Sequence, residues 1–540
     1  MHASYGAKGY SISILARTVS PSSPRRWLVG TLLACWLSNP VQGQESGLVG
    51  GSVRDQTGGL LAGVSIALRG PVTLETTTDS SGAFAFRNLP PGTYELSATA
   101  IGFESAHRSV RLEPAATLSI SLTLQVALLE QVVVTAAKTG AVDVQAVPIA
   151  ISALSSQELT RLPTRTLEQV APALPSVTFT QNTTFGQLSI RGIGSTTVNA
   201  GSDPSSALYV DGVYLARPAM TFIDFLDLER VEVLRGPQGT LYGRNALGGA
   251  MHLISKPPTN DVEASVRVTG GNLGEVRADG RLSGRLRRAR LMGSVAFAKG
   301  VRDGYVRDID HPDHRLGGDD ITAARGQLRA IINSHNDVWI SSDVSDQSGT
   351  PLTYNKVLAV KPGFQVNNPP GLYDVRTSTR ASARVRQSGA SVRFSSALTP
   401  STTLVSLTAF RHLDNEYLVD ADITELDLLS AHVHERQHQW SEEATITDRR
   451  RRLTSIAGTF LFTERDHQRV DADQPQAGTR SLLDPRVDAS SVAVFGQTTI
   501  DVTSTLSGTA GVRYSRERKT IDNLGGRYTL DGLRLIPGSA

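Results

Sequence analysis

One cysteine, Cys35, occurs in the 540 residues, and it sits inside an N-terminal apolar run. A chain without that run has no thiol, which excludes a disulfide framework and a cysteine nucleophile. An excess of one charge is lacking too. Lys and Arg number 54, Asp and Glu 51, and the net charge of +3 is too small to point to nucleic acid or an acidic surface as the main partner. No run reaches the ~20 apolar residues of a membrane-spanning helix. The GxxxxGK[ST] phosphate loop is missing, and Thr197 stands where Gly192-Ile193-Gly194 would need the third glycine of a dinucleotide fingerprint. Neither a carboxylate pair nor a Ser-His-Asp grouping can be picked out, so no enzyme activity and no cofactor are expected.

What is present falls into segments, and the length suits about three domains. Arg25-Arg26, the apolar residues 27–37 and Val41-Gln42-Gly43 read as an export signal over residues 1–43. The lead before Arg25 is long, which is consistent with a start downstream of Met1. Leu32-Leu33-Ala34-Cys35 also fits a lipoprotein box, although the apolar run continues through Trp36-Leu37. From 48 to 125, short β-forming runs punctuated by Gly, Pro and Asp predict an antiparallel sandwich with Phe84, Phe86, Leu89, Tyr94 and Leu96 in its core. Glu130-Gln131-Val132-Val133-Val134-Thr135-Ala136 then offers a β-branched edge suited to adding a strand to a partner's sheet, the alternative being the last strand of the preceding sandwich.

The stretch 187–258 is dense in glycine. Residues 207–210 and 213–215 flank Asp211-Gly212, a dipeptide that tolerates the positive φ angles of a tight hairpin turn. Residues 231–235 and 250–255 read as two more strands, separated by a segment in which Gly236, Gly239, Gly243, Gly248 and Gly249 permit close packing. Ser155-Ser156-Gln157-Glu158 is a capping pattern for one short helix, and residues 166–170 start another that Pro172 stops. Beyond Lys256-Pro257-Pro258, segments of about ten residues alternate apolar with polar or small side chains, as an apolar outer face and a polar lumen require. About eleven or twelve such strands fit into 259–540. Short turns near 334–337, 399–402, 448–451 and 501–504 alternate with long polar stretches at 300–320, 348–381, 414–436 and 466–489, read as loops on the opposite side.

Residues 187–258 carry QLSIRGIG, SALYVDGVYLARP and LERVEVLRGPQGTLYGRNALGGAMHLISK in this order, and so resemble the plug domain of TonB-dependent outer-membrane receptors. The matching positions are Arg191 and Gly192 of IRG, Asp211 and Gly212 of YVDG, and Arg235, Gly236, Gly239, Gly243, Arg244, Gly248 and Gly249 of the long block. Residues 48–125 resemble a carboxypeptidase regulatory-like (transthyretin-like) domain through VxDxxG, DxxGxFxFxNLPPGxY and Gly102-Phe103, a domain without peptidase residues. Residues 130–137 resemble a TonB box with its linker, and the plug would span 140–256. QWSEEATIT resembles a receptor strand with a W/F-S-x-E-L core, which makes Glu443 the match to its lumen glutamate.

The resemblance implies a mainly β fold: a small β-sandwich, an α+β plug domain, and a transmembrane antiparallel β-barrel. Since the family's barrels have about twenty-two strands and the chain stops at Ile536-Pro537-Gly538-Ser539-Ala540, this barrel looks C-terminally truncated. Implied partners are the TonB protein of the inner-membrane energy-transducing complex, outer-membrane lipid, and a small-molecule nutrient, either a ferric chelate or an oligosaccharide. The implied function is energised uptake of a scarce nutrient, a ferric siderophore first, at the outer membrane with the N-terminal domain in the periplasm. Buried in a polar lumen, Arg191, Arg235 and Arg244 are expected either to take bidentate carboxylate partners on the barrel or to cap the plug's own carbonyls, with Glu443 paired to Arg191 or Arg235. A reading of another class is a surface binding or adhesion protein with a non-functional half-barrel. A zinc peptidase is not expected: His434-Glu435-Arg436-Gln437-His438 spells HExxH, but on a strand its histidines lie ~13 Å apart, too far for one zinc.

Overall fold

The computed structural model describes residues 10–17, 46–55, 58–100, 106–124, 133–134, 138, 142–143, 150–161, 166–195, 199–287, 290–351, 366–367, 369, 371–503, 506–531 and 534–536. Most of the expected export signal lies outside them. The chain divides into two compact units, one of residues 21–132 and one of 133–540 with 1–20.

The first unit is a two-layer sandwich. Ala83–Leu89, Gly47–Asp55 and Thr117–Leu124 form one sheet; Thr73–Thr77, Ser65–Arg69, Gly92–Thr99 and Ala106–Leu112 form the other. Period-two alternation turns Phe84, Phe86, Leu89, Tyr94 and Leu96 into the space between them, each at most 5% exposed. Gly47–Asp55 and Thr117–Leu124 run parallel, which departs from the expected antiparallel pairing. The two strands are separated by the whole domain, so no hairpin fixes their direction. The motif's aspartates fasten turns. Asp79 accepts from the Ser81 hydroxyl (2.7 Å) and from the Ala83 and Ser81 amides (3.0 and 2.8 Å), and these bonds hold its carboxyl below the usual range. Asp55 accepts from the Gly59 amide at 2.8 Å.

In the second unit a five-stranded sheet runs in the order Ile151–Ser155, Leu228–Arg235, Gly249–Ser255, Ser206–Val210, Val213–Leu215. The helix Ser156–Arg161 opens on a reciprocal cap: Glu158 accepts from the Ser155 amide at 2.7 Å, and the Ser155 hydroxyl accepts from the Glu158 amide at 3.4 Å. With Leu167–Val170 it covers a core of Leu208, Val210, Val231, Val233, Met251 and Leu253.

A twelve-stranded antiparallel sheet follows the order Tyr10–Arg17, Glu263–Gly270, Val276–Arg287, Leu291–Arg302, Asp319–Ile331, Asn336–Gly349, Ser382–Ala397, Thr402–Asp420, Ser430–Arg450, Leu453–Gln474, Thr479–Asp501, Ser507–Thr529. It is open, ending on Tyr10–Arg17 at one edge and on Ser507–Thr529 at the other. Alternation gives it two faces. In Ser430–Arg450, Val433, Glu435, Gln437, Gln439 and Ser441 are buried. On the opposite face Phe297, Ile340, Phe410, Trp440, Ile446 and Val492 are exposed apolar side chains, as a lipid-facing band requires. No helix among the described residues is long and apolar enough to cross a membrane.

Two of the expected loops are corrected by this sheet. Residues 414–436 and 466–489 lie largely in strands of 19 to 23 residues, about twice what crosses a bilayer. Their polarity suggested loops, but the polar side chains pair across the hairpins: His432 with Glu416 (2.9 Å), Arg436 with Asp414 (3.3 Å), His467 with Asp484 (2.6 Å) and Arg480 with Asp473. The HExxH residues lie on one of these strands, and no group of three His, Cys, Asp or Glu among the described residues could hold a metal ion.

The sandwich core supplies a test. The fully buried Tyr94 also donates its hydroxyl to the Pro90 carbonyl at 2.8 Å. In residues 46–125 expressed alone, Tyr94→Ala is expected to cost about 3–5 kcal/mol and Tyr94→Phe about 1 kcal/mol in denaturant titration. Equal losses for the two variants would contradict the burial argument.

Candidate functional site: the plug–sheet contact

The hairpin Ser206–Val210/Val213–Leu215 turns on Asp211 (φ 49°) and Gly212 (φ 87°), the two left-handed positions of a type I′ turn. Asp211 does more than turn. Its carboxylate accepts from the Ser255 amide and hydroxyl, both at 2.8 Å, and that hydroxyl accepts from Gln327 of the large sheet at 2.6 Å. Farther along, Gln439 reaches the hairpin backbone, donating to the Tyr214 carbonyl at 2.6 Å and accepting from the Ala216 amide at 3.3 Å.

The glycine block packs as a close-fitting loop. Gly236 donates to the Gly248 carbonyl (2.9 Å) and Gln238 to that of Ala246 (3.0 Å). At Gly249, φ is 146° and a Cβ would stand 2.1 Å from the Leu234 carbonyl oxygen, so the facing strand admits no side chain there. Gly192, Gly236 and Gly243 also have positive φ; Gly239 has open space around it, and a Cβ on Gly248 would meet the Ser206 hydroxyl at 2.6 Å.

The expected arginines do not make the expected bonds. Arg191 is exposed beside Gly236, and Arg235 leaves its buried Nε without a hydrogen-bond partner among the described residues. Arg244 pairs inside the plug with Asp203, Nη2 standing 3.2 Å from both carboxylate oxygens, while its guanidinium lies 5.2 Å from the Phe462 ring centre. Glu443 lies on the inward side, but its partner is Lys138 at 2.6 Å, not Arg191 or Arg235. Val133 and Val134 form a strand with Val142–Asp143; Glu130, Gln131, Val132, Thr135 and Ala136 lie outside the described residues.

Other charges hold the plug. Arg217 donates to Glu464 at 2.7 Å and stands 3.5 Å from Asp466, all three side chains at most 1% exposed. Burial would lower its pKa, yet these carboxylates raise it above the usual value. On the far side the polarity reverses: Arg277 binds Asp224 bidentately (2.7 and 2.8 Å), Arg281 binds Asp227 at 2.7 Å, and Arg325 donates to the Leu226 carbonyl at 2.9 Å. Sequence reasoning passed over these residues. The available signal was acid within apolar sequence in FIDFLDL and a lone arginine in YLARP. Deeper in the plug, burial pushes His252 down to about 3, helped by Lys138 and Arg230; its ring stacks on Tyr209 at 4.7 Å.

Comparison with known proteins bears on this arrangement. Residues 143–250 match the family described as TonB-dependent Receptor Plug Domain, and residues 49–125 match Carboxypeptidase regulatory-like domain. The pesticin receptor of Yersinia pestis is 30% identical over 201 residues, 36% of this chain and 28% of that one. An iron-regulated outer membrane virulence protein of Vibrio cholerae is 27% identical over 233 residues, 40% of this chain and 34% of that one. The chain therefore spans about a third of the length of these relatives. The solved ferric yersiniabactin uptake receptor FyuA of Yersinia pestis superposes with a TM-score of 0.60 at 18% identity, covering 70% of this chain and 61% of that one. At that identity the likeness is one of fold.

Two outcomes test the site. Arg217→Met strands buried carboxylates and is expected to destabilise the seated plug by about 3–5 kcal/mol, read as a lower thermal midpoint in detergent; an unchanged midpoint would contradict it. His252 is neutral when folded and has an ordinary pKa of 6.5 when unfolded. Its contribution is therefore complete above pH ~6.5 and falls by up to about 1.4 kcal/mol per pH unit as the pH drops from there toward 3. Stability measured from pH 7 to 4 should fall less steeply in His252→Leu than in wild type; parallel curves would refute the burial.

Proposed function

We propose that this chain, built as a TonB-dependent outer-membrane receptor with an N-terminal carboxypeptidase regulatory-like domain, serves in energised uptake of a ferric siderophore. Its place is the outer membrane, as for its homologues, and they are transporters rather than enzymes. The observation that carries the proposal is the seating of the plug on the inward face of a long antiparallel sheet by the Arg217 and Arg277 ion pairs. A plug that, among the described residues, shares no strand pairing with the large sheet, and meets it through side-chain contacts and apolar patches, can be displaced as a body without unfolding the sheet around it. Residues 130–136 would bind the TonB protein by strand addition, and pulling on them would shift the plug, with the inner-membrane proton gradient as the energy source.

The ferric cargo is supported by what the relatives are described as: a ferric yersiniabactin uptake receptor and an iron-regulated outer-membrane protein. Growth of a deletion strain under iron limitation tests it, with candidate ferric chelates supplied singly. Loss of growth on one chelate, restored by the wild-type gene but not by one lacking residues 130–136, is the expected result. Growth lost on an oligosaccharide instead would replace the cargo. Cargo binding with no growth phenotype would favour the binding or adhesion reading.

A further inference from the structure

The inward wall beside Arg217 carries more acid than base. Glu435, Glu464 and Asp466 are each at most 3% exposed, and Arg217 is the cation set among them. Three carboxylates against one guanidinium leave two negative charges uncancelled in a place shielded from water. The next cations are already taken: Lys519 is held by Asp203 at 2.8 Å and His467 by Asp484 at 2.6 Å. A second observation points the same way. Both carboxylate oxygens of Asp466, the Gln437 Oε1 and the Asn415 Oδ1 are buried and accept no hydrogen bond from any described residue. The register gathers their owners on three adjacent strands, with Gln437 opposite Asp466 and Asn415 opposite Glu435. Both amide nitrogens are in use, Gln437 donating to Glu464 at 2.9 Å and Asn415 to Glu435 at 3.1 Å, so the atoms left over are oxygens.

Buried acceptors with neither donor nor countercharge call for a species that brings both. Water brings donors and no charge. A proton covers one oxygen and cancels one charge. A hard divalent cation binds several oxygens at once and cancels both surplus charges. We propose that Asp466, Glu435, Gln437 and Asn415 form a calcium site in the wall of the sheet, with two carboxylates and two amide carbonyls as ligands. Glu464 stays outside the set, because its Oε1 already accepts from Arg217 and Gln437. Calcium suits such a cage better than magnesium, which demands a near-ideal octahedron and gives up its waters reluctantly. The ion joins the strands Thr402–Asp420, Ser430–Arg450 and Leu453–Gln474 at the place where the plug's arginine docks, and its presence depends on neither cargo nor partner.

The test strips the purified full chain with EDTA in a nonionic detergent, where no anionic lipid competes, and follows the thermal midpoint as calcium chloride is added. Wild type should gain roughly 3–6 °C at calcium about a hundredfold above half-saturation, and equilibrium dialysis against radiolabelled calcium should show a single ion taken up per chain. Asp466→Asn and Glu435→Gln should each weaken uptake roughly tenfold or more, since each removes a charged ligand. In EDTA, Asp466→Asn should melt no lower than wild type, because it removes one of the uncancelled charges; its lost uptake is then not a lost fold. Glu442→Gln, on the outward face of the same strand as Glu435, should respond to calcium as wild type does. An equal calcium response in all four proteins would mean binding elsewhere and overturn the proposal. So would a wild type that ignores calcium and melts higher as the pH is lowered from about 7 to 5, where a proton does the ion's work.

Discussion

A guanidinium shut away from water between two carboxylates, Arg217 against Glu464 and Asp466, sets the terms for the rest of the molecule. Desolvating these charges costs more than an apolar contact of the same size would, so the cluster is poor glue but a strict alignment device. A plug shifted along the sheet would leave an acid or a base buried alone. Arg277 with Asp224 and Arg281 with Asp227 impose the same demand on the far side with the signs reversed. The plug is therefore keyed at two places: to the strand Leu453–Gln474 by its own arginine, and to Val276–Arg287 by its own aspartates.

The alternation of the sheet makes this keying possible. Every second side chain faces inward, where Glu435, Gln437, Gln439 and Glu464 form a polar wall, while Phe410, Trp440 and Ile446 point the other way. A plug meeting a polar wall must present polar groups or bare backbone. Its hairpin does the latter, giving the Tyr214 carbonyl and Ala216 amide to the Gln439 side chain. Apolar contact joins plug and wall in several patches: Leu413 and Val385 against the plug core, Phe462 and Phe495 beside Tyr214 and Tyr242, and Ala296, Ala298 and Ala323 around Leu226. Such an interface favours one seat, and among the described residues the plug shares no strand pairing with the large sheet.

Patterns that repeat were legible in the sequence; pairings that depend on one residue were not. Period-two alternation marked the strands, Asp211-Gly212 the hairpin and Ser155 with Glu158 the helix cap, because each is a local rule that the chain obeys wherever it occurs. Strand lengths were underestimated, since Asp414, Glu416, His432 and Arg436 look like loop composition until their cross-strand partners are known. The parallel pairing in the sandwich was missed because it joins strands with no short connection. The resemblance to a receptor strand points Glu443 to a plug arginine as its partner. Lysine can fill the same place, and Lys138 does so from some three hundred residues away in sequence, a separation across which no local rule operates.

The most direct measurement is an experimental structure of the protein in outer-membrane lipid. The account predicts residues 143–250 enclosed by the long antiparallel strands, with Arg217 within hydrogen-bond distance of Glu464 and Phe410 and Trp440 facing lipid. A plug lying outside the sheet, or a sheet whose Phe410 face is packed in a water-soluble core, would contradict it.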